Sequence, residues 1–270
     1  LAIGHGEGEM FVGSDALALA PMTNKITYLE EGDRAVLTRT SLEIFDAHGK
    51  PASRVMKEVQ ASSTNVDKGG YRHFMAKEIY EQPKVLADNL DFYLPDGETI
   101  TLPEPGLDFT QFDRVVMVAC GTAYFACFVA KYWFEQISGL PVELDVASEF
   151  RYREPPIGPR TLAILVSQSG ETADTLAAQR YLKGKADAVV AAVNVTHSSI
   201  ARESDLVLPL MAGVEIGVAS TKAFTCMLSV MAVLAMKAAK DRGIIADNAL
   251  RDALGALRSV PGAVSQALTL

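Results

Sequence analysis

The sequence predicts an α/β protein whose main part is a parallel sheet covered on both faces by helices, preceded by a smaller β-rich region. Three observations carry this prediction. From Asp113 onward, short runs of Val, Ile, Leu and Ala alternate with helix-length segments, the order of parallel strands joined by crossover helices. Before Gln60 the β-prone runs are short and separated by turns rich in Gly and Asp, as in antiparallel hairpins. Between Gln60 and Gly70 the chain turns polar, with few groups able to anchor it in a core, which is the composition of a linker.

Taken in order, Ile26-Thr27-Tyr28-Leu29, Ala35-Val36-Leu37-Thr38 and Leu42-Glu43-Ile44-Phe45 are expected strands, with turns at Glu30-Glu31-Gly32-Asp33 and Asp46-Ala47-His48-Gly49. Gly4-His5-Gly6-Glu7-Gly8 is expected to be a turn and no phosphate loop, because the spacing of a nucleotide fingerprint is missing. Residues 71–89 place Phe74, Ile79, Val85 and Leu86 at roughly helical spacing, with Pro83 expected to break or kink the helix. A loop with Pro95, Pro103 and Pro105 follows. Strands are then expected at 114–119, 142–146, 162–166, 188–195 and 206–210, and helices at 122–136, 173–183 and 221–241. The last helix is apolar nearly all round, so it should bury itself against more than one neighbour and is expected to support self-association.

With 49% hydrophobic and 21% charged residues among 270, the chain can build a large core and is not disordered. Its 25 Lys and Arg against 33 Asp and Glu give a net charge of −8, which excludes a general basic surface for nucleic acid or an anionic membrane. A small anionic ligand would need a local site. Cys120, Cys127 and Cys226 have apolar flanks and no CxxC pair, and the four His are scattered; reduced thiols, a cytoplasmic location, and no metal or other cofactor are expected. No targeting segment is seen, and the most apolar stretch, 223–239, is interrupted by Thr225, Ser229 and Lys237, so no membrane span is expected. Because the chain opens at Leu1 without Met and closes on Ala267-Leu268-Thr269-Leu270 without a polar tail, it is expected to be a piece of a longer protein.

Ligands of parallel sheets sit at the carboxyl ends of strands. At one such end, Cys120-Gly121-Thr122 joins strand to helix, with Gly121 letting the backbone turn and Thr122 able to cap the following amides; alone it is either an ordinary βα turn or part of a ligand site. At another, Ser167-Gln168-Ser169-Gly170-Glu171-Thr172 gathers three hydroxyls and an amide around a Gly, where the next helix directs its free N–H groups outward. A simple N-cap uses one Ser or Thr. Four polar groups there suit a phosphate monoester, which they and the helix dipole could hold without Lys or Arg. In Glu215-Ile216-Gly217-Val218-Ala219-Ser220-Thr221-Lys222, Ser220 and Thr221 either cap the long helix, with Lys222 solvated, or form a wall that contacts sugar hydroxyls. No GxSxG frame occurs, and no catalytic residue is expected; Glu171 should support the helix dipole.

These motifs, with Ala147-Ser148-Glu149-Phe150-Arg151-Tyr152-Arg153, Ala173-Asp174-Thr175 and Ala223-Phe224-Thr225, closely resemble the glucosamine-6-phosphate synthases, the isomerizing glutamine–fructose-6-phosphate aminotransferases. Tyr71-Arg72-His73-Phe74-Met75 and Lys77-Glu78-Ile79-Tyr80-Glu81-Gln82-Pro83 resemble that family's interdomain segment, and Ser14-Asp15 and Leu29-Glu30-Glu31-Gly32-Asp33 the last part of its glutaminase domain.

The resemblance implies a flavodoxin-like, three-layer sugar isomerase (SIS) domain preceded by a remnant of an N-terminal-nucleophile glutaminase domain. The implied bounds are 1–60 for the glutaminase part, 61–112 for linker and helix, 113–245 for the first SIS domain, and 246–270 for a helical connection to a second. It further implies a homodimer through SIS domains and binding of fructose 6-phosphate or glucose 6-phosphate by Thr122, Ser167, Gln168, Ser169, Thr172, Val218 and Ser220. The family's glutaminase Cys and isomerase acid–base groups would lie outside these residues, so binding without turnover is expected. One departure is Ala123, where many members carry Ser. The alternative is an SIS-type sugar-phosphate-sensing regulatory module; such regulators usually carry a basic helical DNA-binding domain, which the β-rich first segment does not suggest.

Overall fold

Antiparallel pairing organises the first of two units, Leu1–Gly69. The computed structural model describes residues 1–13, 19, 22–58 and 68–269, so Ser14-Asp15 and most of the expected polar linker, residues 59–67, lie outside the described residues. Strands β1 (Ala2–His5), β2 (Met10–Gly13), β3 (Lys25–Tyr28) and β7 (Met56–Glu58) form one sheet in the order β2-β1-β3-β7. Strands β4 (Arg34–Leu37), β5 (Leu42–Phe45) and β6 (Pro51–Ala52) form another. The Gly4–Gly8 run is the β1–β2 hairpin turn, closed by Gly6 N–H donating to the Glu9 carbonyl at 3.0 Å. In the 30–33 turn the Asp33 carboxylate takes two hydrogen bonds from Arg54 and one from the Glu30 amide, each 2.8 Å. The Arg54 guanidinium, then the Glu30 amide, hold Asp33 below the usual carboxylate range.

The second unit, Gly70–Leu270, holds a five-stranded parallel sheet in the order β12-β11-β10-β8-β9. Its strands are β8 (Arg114–Ala119), β9 (Val142–Val146), β10 (Thr161–Ser167), β11 (Ala188–Val193) and β12 (Leu206–Pro209). The helices are α1 (Phe74–Tyr93), α2 (Gly121–Trp133), α3 (Ala147–Arg153), α4 (Ala173–Leu182), α5 (Ser199–Glu203), α6 (Lys222–Asp241) and α7 (Asp247–Ala267). The period of two in a strand sorts the core into two layers. Val115, Met117 and Ala119 face the layer with Cys127, Val230 and Leu234, while Val116 and Val118 face the layer with Phe150, Ala178 and Ile200. All seven residues of β10 are buried, as a strand covered on both faces requires. The chain leaves β8 toward β9 on one side and runs through β10, β11 and β12 on the other. The carboxyl ends of β8 and β10 thus meet where the strand order diverges, the place at which such sheets open a crevice.

Three expectations change. Pro83 does not break α1, which runs unbroken from Phe74 to Tyr93. The proline leaves the Ile79 carbonyl without its amide donor, and Gln82 Nε2 donates to that carbonyl at 3.0 Å instead. A proline inside a helix costs about 3 kcal/mol, whereas each fully buried large apolar side chain stabilises by about 1.5–3 kcal/mol; Val85, Leu86, Leu90 and Tyr93 are all buried, so packing wins. Second, the 122–136 helix is α2 followed by a π turn, Phe134–Ser138, ended by Gly139 at φ +66°. Third, α3 follows β9 directly although no helix was expected there; it buries Ala147 and Phe150.

Helix α1 is part of the second unit. Asn89 Nδ2 donates to the Leu210 carbonyl and Tyr93 Oη to that of Pro209, both at 2.9 Å, which ties it to the end of β12. Helix α6 is long and apolar enough to cross a membrane, but 72% of its apolar window is buried inside the protein and it packs against α1, α2 and the π turn. The several neighbours its apolar surface demanded are therefore supplied within the chain.

Candidate functional site

A cleft of about 410 Å³ opens at the carboxyl ends of β8 and β10, and Thr122, Ser167, Gln168, Ser169, Thr172, Val218 and Ser220 all line it. None of its described lining residues is charged. Thr122 sits in the first turn of α2, with Gly121 before it at φ +58°. Ser167 is the last residue of β10 and is buried; Thr172 is the N-cap of α4.

The loop between β10 and α4 is organised by its own side chains. Ser167 Oγ accepts from the Gly170 amide at 3.0 Å, and Ser169 Oγ accepts from the Glu171 amide at 3.2 Å. A hydroxyl that accepts from the backbone keeps its own proton to donate elsewhere. Ser167 Oγ and Thr172 Oγ1 lie 3.0 Å apart, and the Thr172 side chain does not cap the helix. The amides of the first turn of α4 therefore keep the unsatisfied character and partial positive charge of a helix start. Gly170 is required twice: its φ is +65°, and a Cβ there would lie 1.9 Å from Ser198 Oγ. Glu171 turns away from the cleft to accept from the Ser199 amide at 2.7 Å, the first residue of α5. It supports a helix start, though of α5 and not of its own α4.

The opposite wall is the 215–220 loop before α6. Glu215 caps that helix, with Oε1 accepting from Thr221 N at 2.9 Å and Ala223 N at 3.1 Å, while its Oε2 accepts from Ser220 Oγ at 2.9 Å. Ser220 and Thr221 thus do not cap with their own hydroxyls. Val218 projects fully into solvent. Lys222 is not solvated: it is buried, and its Nζ pairs with Glu81 Oε2 on α1 at 2.7 Å. Burial of a lysine demands such a partner, and the partner lies 141 positions away in sequence.

Glu78 on α1 was also missed, and it is 2% exposed. Its carboxylate accepts from the Ile216 amide at 2.6 Å and from the Gly217 amide at 3.1 Å. Nothing beside it in sequence marks this role; only its place on the apolar face of α1 could have drawn attention. Among the described residues, no three His, Cys, Asp or Glu side chains gather as a metal site requires. The buried thiols of Cys127 and Cys226 are pushed up to about 12 by burial, so neither is a thiolate near neutral pH.

Residues 108–237 match the SIS domain family. Over its whole length the chain is 54% identical to the isomerizing glutamine–fructose-6-phosphate aminotransferase of Brucella abortus and 55% to that of Bradyrhizobium diazoefficiens, covering 45% of each. The structure is similar to the C-terminal domain of glucosamine-fructose-6-phosphate aminotransferase from Francisella tularensis, with a TM-score of 0.73 and 40% identity over 76% of this chain and 58% of that one. A glucosamine-6-phosphate deaminase from Thermotoga maritima aligns with a TM-score of 0.55 and 26% identity, over 70% of this chain and 54% of that one. The chain spans less than half the length of the curated relatives it matches. The chain thus carries an SIS domain over residues 108–237 and is homologous along its full length to part of the isomerizing glutamine–fructose-6-phosphate aminotransferases.

Proposed function

We propose that the cleft binds a hexose 6-phosphate, fructose 6-phosphate or glucose 6-phosphate, as the first SIS domain of an enzyme that makes glucosamine 6-phosphate from fructose 6-phosphate and glutamine. One observation carries this: the seven residues that the family resemblance implies, from three separate segments, line a single uncharged cleft at the switch point of the sheet. The phosphate goes to the Ser167–Thr172 loop and the start of α4, with Thr122 at the same end. Hydroxyls held by backbone amides need no rearrangement to receive it, and a helix start favours a doubly charged anion without a cationic side chain. The sugar goes to the Val218 backbone and Ser220. Ala123 leaves that end one hydroxyl short of many relatives, a loss of about 0.5–1.5 kcal/mol for a neutral hydrogen bond.

Residues 1–60 are read as the end of a glutaminase domain, residues 61–112 as the interdomain linker and helix, and 246–270 as a helical connection to a second SIS domain; homology along the whole chain to longer relatives supports reading it as part of such an enzyme. The chain by itself is read as cytoplasmic and as binding without turnover. The two carboxylates nearest the cleft, Glu171 and Glu215, are already occupied by backbone amides, and the buried thiols are neutral. Incubation with fructose 6-phosphate and glutamine, or with ammonia, should give no glucosamine 6-phosphate above a blank. Dimerisation is proposed through α2, where Phe125, Phe128 and Tyr132 share a face and stay exposed. Sedimentation at micromolar concentrations tests it, and a monomer would count against it.

The binding test is calorimetric. Ser169→Ala should weaken fructose 6-phosphate by about 1.5–3 kcal/mol, the worth of a hydrogen bond to a charged group, while Ser199→Ala, outside the cleft, should leave it unchanged. Equal affinities would remove the phosphate assignment.

A further inference from the structure

We infer that Glu78 is a positioning residue for the sugar end of the cleft, acting from α1 through the backbone of the 215–220 loop. The inference rests on the hexose-phosphate reading and adds to it a residue that lines no part of the cleft. The loop has little inside itself to fix its tip: Val218 is fully exposed and Ala219 is exposed. What fixes it is a pair of carboxylates. Glu215 holds the side toward α6 through Ser220, Thr221 and Ala223. Glu78 holds the other side, taking the successive amides of Ile216 and Gly217 into one buried carboxylate. Two amides facing one carboxylate set the direction of the chain as it enters Val218, and hence where the Val218 backbone and Ser220 stand.

The fit is close. A Cβ on Gly217 would lie 2.4 Å from Glu78 Oε2 and 3.4 Å from the Met75 Cα. Gly217 has no positive φ, so the close approach to Glu78, and not backbone conformation, is what demands glycine there. One turn further along α1, Glu81 pairs with Lys222 at 2.7 Å, so positions 78 and 81 clamp both ends of the segment from the same helix face. Replacing the Glu78 carboxylate by an amide leaves one neutral oxygen for both donors and turns an NH₂ toward the Gly217 amide, which weakens the hold on the tip without opening a large cavity.

The test compares two ligands on the 270-residue chain. Inorganic phosphate can use only the Ser167–Thr172 end, whereas fructose 6-phosphate spans both ends. Glu78→Gln should raise the Kd for fructose 6-phosphate by about tenfold or more, the worth of a charge-assisted hydrogen bond, and leave the Kd for phosphate unchanged. Gly217→Ala should do the same from the other side of the contact. In a Glu78→Ala background Gly217→Ala should add nothing, because its clash partner is gone. Amide resonances of Ile216 and Gly217 should move upfield in Glu78→Gln, the signature of losing a carboxylate acceptor. Wild-type affinity for fructose 6-phosphate in both single variants overturns the inference, and so does an equal loss for both ligands, which would mean a merely structural role. An unmodified chain that binds neither ligand overturns the hexose-phosphate reading itself and this inference with it.

Discussion

The two walls of the cleft are built on opposite principles. The hydroxyls of the Ser167–Thr172 loop are set by bonds inside six residues, Ser167 to Gly170, Ser169 to Glu171 and Ser167 to Thr172, while its backbone is tied to the nearby 194–200 segment through Gln168, Gly170 and Glu171. The 215–220 loop is held partly from outside, by Glu78 at a sequence separation of 138 from Ile216. The first loop's hydroxyls are placed by their own loop and by neighbours within about 30 positions in sequence, whereas a loop held by a distant helix is only as fixed as that helix. On the proposed reading, the difference puts the phosphate on the first wall and the adjustable, sugar part of binding on the second.

The largest effect should come from breaking the local wall. Gly170→Ala places a side chain at φ +65° and against Ser198, combining about 1–3 kcal/mol of backbone strain with about 1–3 kcal/mol of overpacking. Gly121→Ala is the matched control: its φ is +58° but nothing lies within 4 Å of the new Cβ, so only about 1–2 kcal/mol of left-handed strain is expected. Urea unfolding of both variants measures the gap, and equal losses would mean that the Gly170 contact with Ser198 does not matter.

A smaller loss is expected on the other wall. Glu215→Gln removes the charged cap of α6, which should cost about 0.5–2 kcal/mol, and should weaken fructose 6-phosphate more than inorganic phosphate. A Gln variant as stable as the parent would move the anchoring of that loop to Glu78 alone.

The smallest effect concerns the helix behind the local wall. Arg180 on α4 donates to Glu203 on α5 at 2.8 and 3.2 Å, and this hydrogen bond lowers the Glu203 carboxyl below its ordinary value. A depressed folded value means that the pair stabilises above the unfolded value near 4.3, and that the contribution is lost as pH falls through the folded value. Because both groups are partly exposed, about 0–1 kcal/mol is at stake. Glu203→Gln should flatten that much of the acid limb of a stability–pH curve, and an unchanged limb would mean that the pair is fully screened.

The same contrast explains what could be read from the sequence. The parallel sheet was legible because buried strands such as β10 and β8 are largely unbroken apolar runs, and the Ser167–Thr172 loop was legible because the bonds that set its hydroxyls are local. Local reading failed where the partner is remote. Lys222 looked like a surface lysine until Glu81 came beside it, and Pro83 looked like a helix breaker because neither the Gln82 substitute bond nor the burial of α1 is visible in the motif. Helix α3 escaped because seven residues with three charges carry too little periodicity to stand out.

The most direct measurement is a ¹H–¹⁵N chemical-shift map of the chain titrated with fructose 6-phosphate and, separately, with inorganic phosphate. Inorganic phosphate should shift the amides of residues 167–173 and Thr122; fructose 6-phosphate should shift these and, in addition, Val218, Ala219 and Ser220. The chain has a second, larger cleft of about 570 Å³ beside β9, lined by Arg114, Lys131, Glu135 and Glu143 among others. Shifts gathered there, with residues 167–173 silent, would contradict the assignment of the sugar-phosphate site.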